Sequence, residues 1–380
     1  MRRIAVFMGT RPEAIKMAPV VEALAETADL RPVVISTGQH REMLAQVVDL
    51  FGIHVDHELD VMRPNQSLAS LSARLMTSID ALLTSDRPDL ALVQGDTTTV
   101  LMAALACFYH RIPVGHIEAG LRTGNLWSPF PEEANRKLAT SLMTLHFPPT
   151  PRSRENLRRE HVPDQQILVT GNTVIDALRI EIQKQQQPDV ARQINTELSQ
   201  LIGEDWDSRP FVLITGHRRE NFGGGFEAIC TAIETLADEF TNFRFIYPVH
   251  LNPNVQGPVY GRLGGRENIR LIAPQQYRPF VALINACRLV LTDSGGVQEE
   301  APGLGKPVLV MRDTTERPEG VDAGTVRLLG TSPSSITSAV RELLTDDAAY
   351  HAMSEAVNPY GDGHAAARIV GRIRSYLASV

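Results

Sequence analysis

The segment Leu291-Thr292-Asp293-Ser294-Gly295-Gly296-Val297-Gln298-Glu299-Glu300 decides how this chain is read. The apolar run Leu289-Val290-Leu291 stops at Asp-Ser-Gly-Gly, and a helical pattern starts at once. Strand, small-residue turn and helix in that order aim backbone N–H groups and the positive end of a helix dipole at one point. A phosphate fits such a point. Glu299 and Glu300 follow within the next two turns, where a carboxylate accepts hydrogen bonds from sugar hydroxyls. Taken alone, the turn serves equally well as a tight strand–helix connection, and the neighbouring segments have to decide.

Around it, apolar strand patterns fall at 211–215, 244–248, 269–272, 288–292, 307–310 and 325–328. Helical patterns lie near 226–239, 276–286, 295–303 and 333–345. The first half repeats the rhythm. A strand over 3–9 runs into Gly9-Thr10-Arg11-Pro12-Glu13, which opens a helix to about Ala25 with Pro12 in its first turn. Strands at 31–36, 90–93, 113–117 and 144–148 alternate with helices over 39–51, 66–83, from 97 to about 109 and from 131 onward. Residues 166–169 read as a further short strand, and Thr170-Gly171-Asn172-Thr173 as a turn. The stretch 181–200 is polar and Gln-rich, Gln185-Gln186-Gln187-Pro188 marks a weakly constrained surface, a domain boundary is expected near 170–175, and a final helix covers about 364–378. This alternation predicts an α/β chain of parallel sheets with helices on both faces.

At 380 residues the chain exceeds one ordinary core, so two domains are expected. Lys and Arg number 37 against 44 Asp and Glu, a net charge of −7 without polybasic runs, which argues against nucleic acid as partner. The hydrophobic fraction is 43% and the mean hydropathy −0.11. No window approaches the ~20 apolar residues of a membrane span. The first residues are too short an apolar run for a signal peptide. Cys107, Cys230 and Cys287 are scattered in apolar segments, which fits buried thiols in a cytoplasmic protein rather than disulfides or zinc ligands. No metal site and no cofactor are expected. Gly303-Leu304-Gly305-Lys306-Pro307 is not a phosphate-binding Walker loop, no G-x-G-x-x-G follows a strand, and Asp205-Trp206-Asp207 sits in a polar stretch as a chance Asp-x-Asp.

What remains is a set of polar residues ending strands. Asp96 and Glu118 each follow an apolar strand, Glu132 opens a helix beyond an aromatic loop, and His217 follows Val212-Leu213-Ile214-Thr215-Gly216. Each has a structural reading, a helix cap for Asp96 or a dipole partner for Glu132. Together they populate the edge where open α/β sheets bind ligands, and clustered carboxylates suit proton abstraction and return. Arg11 and Lys16 could reach over the first helix N-terminus. Arg317 adds a planar cation for phosphate, or an ion pair with Glu316 or Glu319.

These strings together resemble the non-hydrolysing UDP-N-acetylglucosamine 2-epimerases of bacteria. The resemblance is carried by Gly9 to Lys16, Gly95 to Thr99, Gly115 to Arg122, Pro131 to Arg136, Thr170 to Thr173 and Gly216 to Glu220. Pro248 to Pro253, Asp293 to Glu300, Arg312 to Glu319 and Asn358 to Gly363 extend it to the last helix. It implies two Rossmann-like domains facing across a cleft, as in B-type glycosyltransferases. The N-terminal domain, 1–172, would carry the acid/base residues and the C-terminal domain, 173–360, would bind UDP. A helix over 361–380 would cross back to the first domain.

The resemblance further implies that Ser294, Gly295 and Gly296 hold the diphosphate, Glu300 the ribose, and Gln275 and Phe280 the uracil. Arg11, Lys16 and Arg317 would also lie at the nucleotide. The implied reaction interconverts UDP-GlcNAc and UDP-ManNAc without NAD, by anti elimination of UDP to 2-acetamidoglucal and re-addition. Asp96, Glu118 and Glu132 are then the proton-transfer candidates, and His217 steadies the diphosphate. A second UDP-GlcNAc is an expected activator at Gln39, Gln66, Arg218 and His250, although Glu42 and Asn65 stand where some members carry Gln and Arg. A homodimer is expected. A B-type glycosyltransferase, a hydrolysing epimerase and a silent UDP-sugar sensor are the rival readings; the three carboxylates of the first domain weigh against the first and last.

Overall fold

A computed structural model of the chain describes residues 1–38, 41–63 and 65–380, for 41–43 the backbone alone. It divides into two compact units, Met1–Ala177 with Tyr360–Val380, and Leu178–Pro359.

The first unit begins with β1 (Arg2–Met8), whose five last residues are buried, then α1 (Arg11–Ala25) and β2 (Leu30–Ser36). It continues through α2 (Arg41–Phe51), β3 (His57–Glu58), α3 (Leu68–Ser85), β4 (Leu90–Gln94) and α4 (Thr98–Tyr109). Next come β5 (Val114–Ile117), α5 (Glu132–Thr140), β6 (Leu145–Phe147) and α6 (Pro151–Arg159). The strands pair in parallel in the order β3-β2-β1-β4-β5-β6. The chain therefore winds outward from β1 in one direction and returns to wind outward from β4 in the other. Strand order reverses between β1 and β4, where carboxyl-end loops diverge and leave room for a ligand. One face of the sheet is sealed by Leu75, Ile79 and Leu83 of α3 and by the small residues Ala103, Ala104 and Cys107 of α4. Each large aliphatic side chain so buried contributes about 1.5–3 kcal/mol.

α7 (Thr173–Gln185) carries the chain into the second unit, which continues with α8 (Pro188–Ile202), β7 (Phe211–Thr215), α9 (Gly224–Glu239) and β8 (Arg244–Pro248). Then follow α10 (Pro253–Leu263), β9 (Ile269–Ile272), α11 (Tyr277–Ala286), β10 (Leu289–Thr292) and α12 (Gly295–Glu300). β11 (Val308–Val310), α13 (Pro318–Asp322), β12 (Val326–Leu328), α14 (Pro333–Thr345) and α15 (Asp347–Ser354) complete it. The order is β12-β11-β10-β7-β8-β9, again all parallel, so the reversal falls between β7 and β10. The opening segment of the sequence lies at that reversal.

The last helix, α16 (Ala365–Leu377), belongs to the first unit. Its first N–H groups have a long-range cap: the Asp176 carboxylate accepts from Ala365 N at 3.2 Å and Ala366 N at 2.9 Å. Ile369, Val370, Ile373 and Leu377 are buried along one face, and the helix packs on α1.

Three expectations are corrected. Residues 166–169 form no strand; a 3-10 turn over Asp164–Gln166 leads to a single bridge, Ile167 to His146. The stretch 181–200 is ordered helix in both α7 and α8. Ile194, Leu198 and Ile202 recur at helical spacing and are buried, and only the Gln185–Pro188 break has turn character. The helix expected over 295–303 ends at Glu300 and tightens into a 3-10 turn over Ala301–Leu304, where Pro302 can donate no hydrogen bond. The sequence pattern hides α10, because Gly257, Pro258 and Gly261 disguise the buried series Val255, Val259 and Leu263.

Candidate functional site

At the reversal in the first unit, Glu13 ties two strand ends together. Its Oε2 accepts from Gly9 N at 2.8 Å and Thr10 N at 2.7 Å, closing a capping box with Thr10; its Oε1 accepts from Thr97 Oγ1 at 2.6 Å. Burial raises its pKa, opposed by the hydrogen bonds from Thr97, Gly9 and Thr10. One carboxylate thus locks the Gly9-Thr10 turn after β1, which leads into Arg11 at the start of α1, against the loop after β4, bearing Asp96.

Two networks fill this edge. In one, the Lys16 ammonium and the Gln94 amide both donate to Glu118 Oε2, the latter at 2.6 Å. Glu118 is buried and has φ of +63°, a left-handed backbone that costs a non-glycine residue roughly 1 kcal/mol or more. Such strain persists where the surroundings dictate the side chain's position. In the other, Arg136 donates to Asp96 Oδ2 through Nε at 2.9 Å and Nη2 at 2.6 Å, and through Nη1 to Glu133 at 2.9 Å. Asn135 Nδ2 holds the Asp96 carbonyl at 2.9 Å. Asp96 does not cap α4; Thr97 does, accepting from Val100 N. Glu132, half-buried, is the first residue of α5, one turn before Arg136 on the helix that clamps Asp96. From the adjacent strand, His116 Nε2 meets the Gly95 carbonyl at 2.7 Å. Burial lowers the His116 pKa to about 4, so the ring is neutral and its Nε2 carries the proton donated to that carbonyl.

In the second unit, Asp293 at the end of β10 is fully buried. It accepts from His217 N at 2.9 Å, Arg218 N at 2.9 Å and Asn221 Nδ2 at 3.3 Å, and its Oδ1 lies 3.4 Å from His217 Nδ1. The His217 ring stacks on His250, with centroids 5.4 Å apart. Burial lowers the His217 pKa; Asp293 opposes this, and Arg218 and His250 add to it. In the Ser-Gly-Gly turn, Ser294 N donates to Thr292 Oγ1 at 2.9 Å, so that N–H serves the turn itself. Gln298 closes the first helical turn on the Ser294 carbonyl at 3.1 Å and accepts from Thr315 at 2.7 Å.

Arg317 turns its guanidinium toward Glu299. Its Nε meets Glu299 Oε1 at 2.6 Å, while Glu316 lies 4.0 Å off. Its guanidinium lies over Gly295, where a β-carbon would come within 2.6 Å of Nη1. Glu316 turns instead to Arg312; burial alone would raise its pKa, but Arg312 holds the carboxylate down to about 2. Glu300 is buried one turn beyond Gly296, Gln275 donates to the Ala273 carbonyl at 2.7 Å, and Phe280, on the first turn of α11, packs half-buried on the core.

Of the residues expected at an activator, Gln39 lies outside the described residues, as does the Glu42 side chain. Gln66 is held by Arg74 and donates to Met62 Sδ at 2.7 Å. Lys16, expected at the nucleotide, is found on Glu118. Asp205 of the Asp-x-Asp string is taken by Arg244 at 2.8 Å, and Trp206 is buried. Among the described residues no group of three His, Cys, Asp or Glu side chains is placed to hold a metal ion, and no helix is long and apolar enough to cross a membrane. Glu13, Gln94, Asn135 and Arg136 join these networks, and the sequence pattern singles out none of them. All four lie inside or beside the strings that carry the family resemblance.

Two Rossmann-like α/β units, each with polar and charged groups gathered at the reversal of its parallel sheet, make this a two-domain α/β protein of the B-type glycosyltransferase fold class. The profile of the UDP-N-acetylglucosamine 2-epimerase family matches residues 22–374. The UDP-N-acetylglucosamine 2-epimerase of Yersinia pestis is 55% identical over 381 residues, covering all of both chains. The crystal structure of UDP-GlcNAc 2-epimerase from Neisseria meningitidis bound to UDP-GlcNAc superposes with a TM-score of 0.90 at 47% identity, over 99% of this chain and 100% of that one. The S. aureus MnaA–UDP co-structure gives 0.88 at 40%, over 100% and 98%. The chain belongs to the UDP-N-acetylglucosamine 2-epimerase family, in its non-hydrolysing bacterial form.

Proposed function

We propose that the reversible interconversion of UDP-GlcNAc and UDP-ManNAc, which supplies precursors for cell-surface polysaccharide, runs on this chain by elimination and re-addition of UDP. A base removes the C2 proton; its electron pair forms the C1–C2 double bond, and the C1–O bond to UDP breaks with its electrons leaving on the phosphate. UDP oxygen then returns to C1 while C2 takes a proton on the opposite face. No net oxidation occurs. Asp96, Glu118 and Glu132 are the proton-transfer groups. The 294–296 turn, Arg11, Lys16, Arg317 and His217 balance the charge of departing UDP, Glu300 holds the ribose, and Gln275 and Phe280 hold the uracil.

The observation that carries this reading is the convergence of Lys16 and Gln94 on a strained Glu118, beside an Asp96 fixed by Arg136. A positioned acid or base contributes about 10²–10⁴ in rate. Chromatography of nucleotide sugars tests it: wild type should give UDP-ManNAc from UDP-GlcNAc, and Asp96→Asn, Glu118→Gln and Glu132→Gln should each lose ~10²-fold or more in kcat. A full-rate triple variant would exclude the carboxylates.

Activation by a second UDP-GlcNAc at Gln39, Gln66, Arg218 and His250 belongs to the same reading. The His217–His250 stack supports it, because a ligand that moves His250 also moves His217. The rate should depend sigmoidally on UDP-GlcNAc, and His250→Ala should flatten the curve; unchanged curvature removes that site. A cytoplasmic homodimer completes the proposal, supported by exposed Phe108 and Tyr109 on α4 and Leu138 on the adjacent α5. Sedimentation that finds only monomer would contradict it.

A further inference from the structure

Loop 123–131 carries two aromatic rings that neither network uses. Trp127 is 78% exposed and Phe130 56%, yet they stack on each other with centroids 5.7 Å apart and planes at 15°. Leaving rings of this size in water forgoes about 1.5–3 kcal/mol of burial each. The loop is also braced. Thr123 Oγ1 donates to the Ser128 carbonyl at 2.6 Å, and Trp127 N donates to Asn125 Oδ1 at 3.0 Å. Glu133 accepts from Thr123 N at 3.2 Å and Gly124 N at 3.0 Å, and the same carboxylate receives Arg136, which grips Asp96. The ring pair is thus fixed through Glu133 to the Asp96 network, and Glu132 follows Phe130 by two positions in the chain.

We propose that the outer face of Trp127, backed by Phe130, is a stacking platform for the pyranose ring of the substrate and of the acetamidoglucal formed from it. The proposal rests on the elimination reading above. A pyranose with mostly equatorial substituents presents axial C–H groups, and their weak positive charge complements the negative face of an indole. The platform has a specific task in this reaction. Once the C1–O bond breaks, the sugar is no longer tethered to UDP, and whatever holds UDP no longer holds the glycal. A flat, uncharged surface beside the proton-transfer groups retains it until UDP returns.

The test is NMR of UDP-GlcNAc turnover by wild type, Trp127→Phe and Trp127→Ala, reading free 2-acetamidoglucal against UDP-ManNAc. Trp127→Ala should raise that ratio about tenfold, as stacking of this strength allows, and Trp127→Phe should stay near wild type. In Trp206→Phe enzyme, where Trp127 is the sole indole, emission should shift to shorter wavelength with UDP-GlcNAc and not with UDP. An unchanged ratio in Trp127→Ala, or an equal shift with UDP, overturns the platform while wild-type turnover leaves the reaction standing. Loss of self-association in Trp127→Ala would assign the rings to a contact between copies and also overturn it. No wild-type UDP-ManNAc would remove the reaction and the platform together.

Discussion

Glu118 shows how a single residue can be at once structurally unfavourable and chemically apt. Its left-handed backbone would be relieved by glycine, and its carboxylate would be missed. Glu118→Gly relieves that backbone but removes the shared acceptor of the buried Lys16 ammonium and Gln94 amide, so the melting temperature is expected to fall while kcat falls ~10²-fold or more; an unchanged kcat would remove Glu118 from the proton-transfer groups. The buried histidines of β5 and β6 set the acid limit of the first unit. Burial drives His146 down to about 3, with His116 and Arg122 adding to the effect, and His116 down to about 4. The unfolded chain protonates both near pH ~6.5, so it binds more protons than the folded chain below that value. Their contribution is complete above about 6.5 and is lost as pH falls toward the folded values, each group adding about 1.4 kcal/mol per pH unit. His146→Gln should flatten the pH dependence of urea stability between about pH 6 and pH 4 by one group's slope; an unchanged slope would show that His146 does not titrate as described. At this scale the sequence was informative where chemistry follows strand ends. Asp96, Glu118 and His217 each announce themselves by ending an apolar run. Arg136 and Glu13 did not, because their partners lie 40 and 84 positions away and only the folded sheet brings them together.

Among the elements, two glycines separate folding from binding. A β-carbon at Gly120 would meet the Ser153 carbonyl oxygen at 2.2 Å, and φ there is +86°. Neither obstacle can yield cheaply, so Gly120→Ala should cost roughly 2 kcal/mol or more, read as a lowered melting temperature. At Gly295 the obstacle is the end of the Arg317 side chain, which can swing away. Gly295→Ala should melt within a few degrees of wild type and yet bind UDP about tenfold more weakly by calorimetry, since it displaces the cation and crowds the turn. Unimpaired UDP affinity would remove this turn from the nucleotide site. Strands were legible because buried parallel strands read as continuous apolar runs. Helices with broken composition were not, as α10 and α8 show: buried residues spaced by four carried the signal, while the Gly, Pro and Gln between them masked it.

For the whole molecule, the α/β class and the paired architecture followed from alternating patterns and length, and the family from strings running through both halves. The assignment of α16 to the first unit could not come from periodicity, because its cap, Asp176, lies 189 positions before Ala365. Removing 361–380 strips Ile369, Val370, Ile373 and Leu377 from the first unit at about 1.5–3 kcal/mol each, comparable with a domain's entire stability. Limited proteolysis of that truncation should cut within 1–177 and spare 178–359; equal protection of both would contradict it. In the proposed reaction C2 is inverted through loss of its proton and of UDP. Turnover of UDP-GlcNAc in D₂O, followed by NMR, tests this most directly. UDP-ManNAc carrying deuterium at C2 is expected, and UDP-ManNAc that keeps its original C2 proton throughout would rule the elimination out.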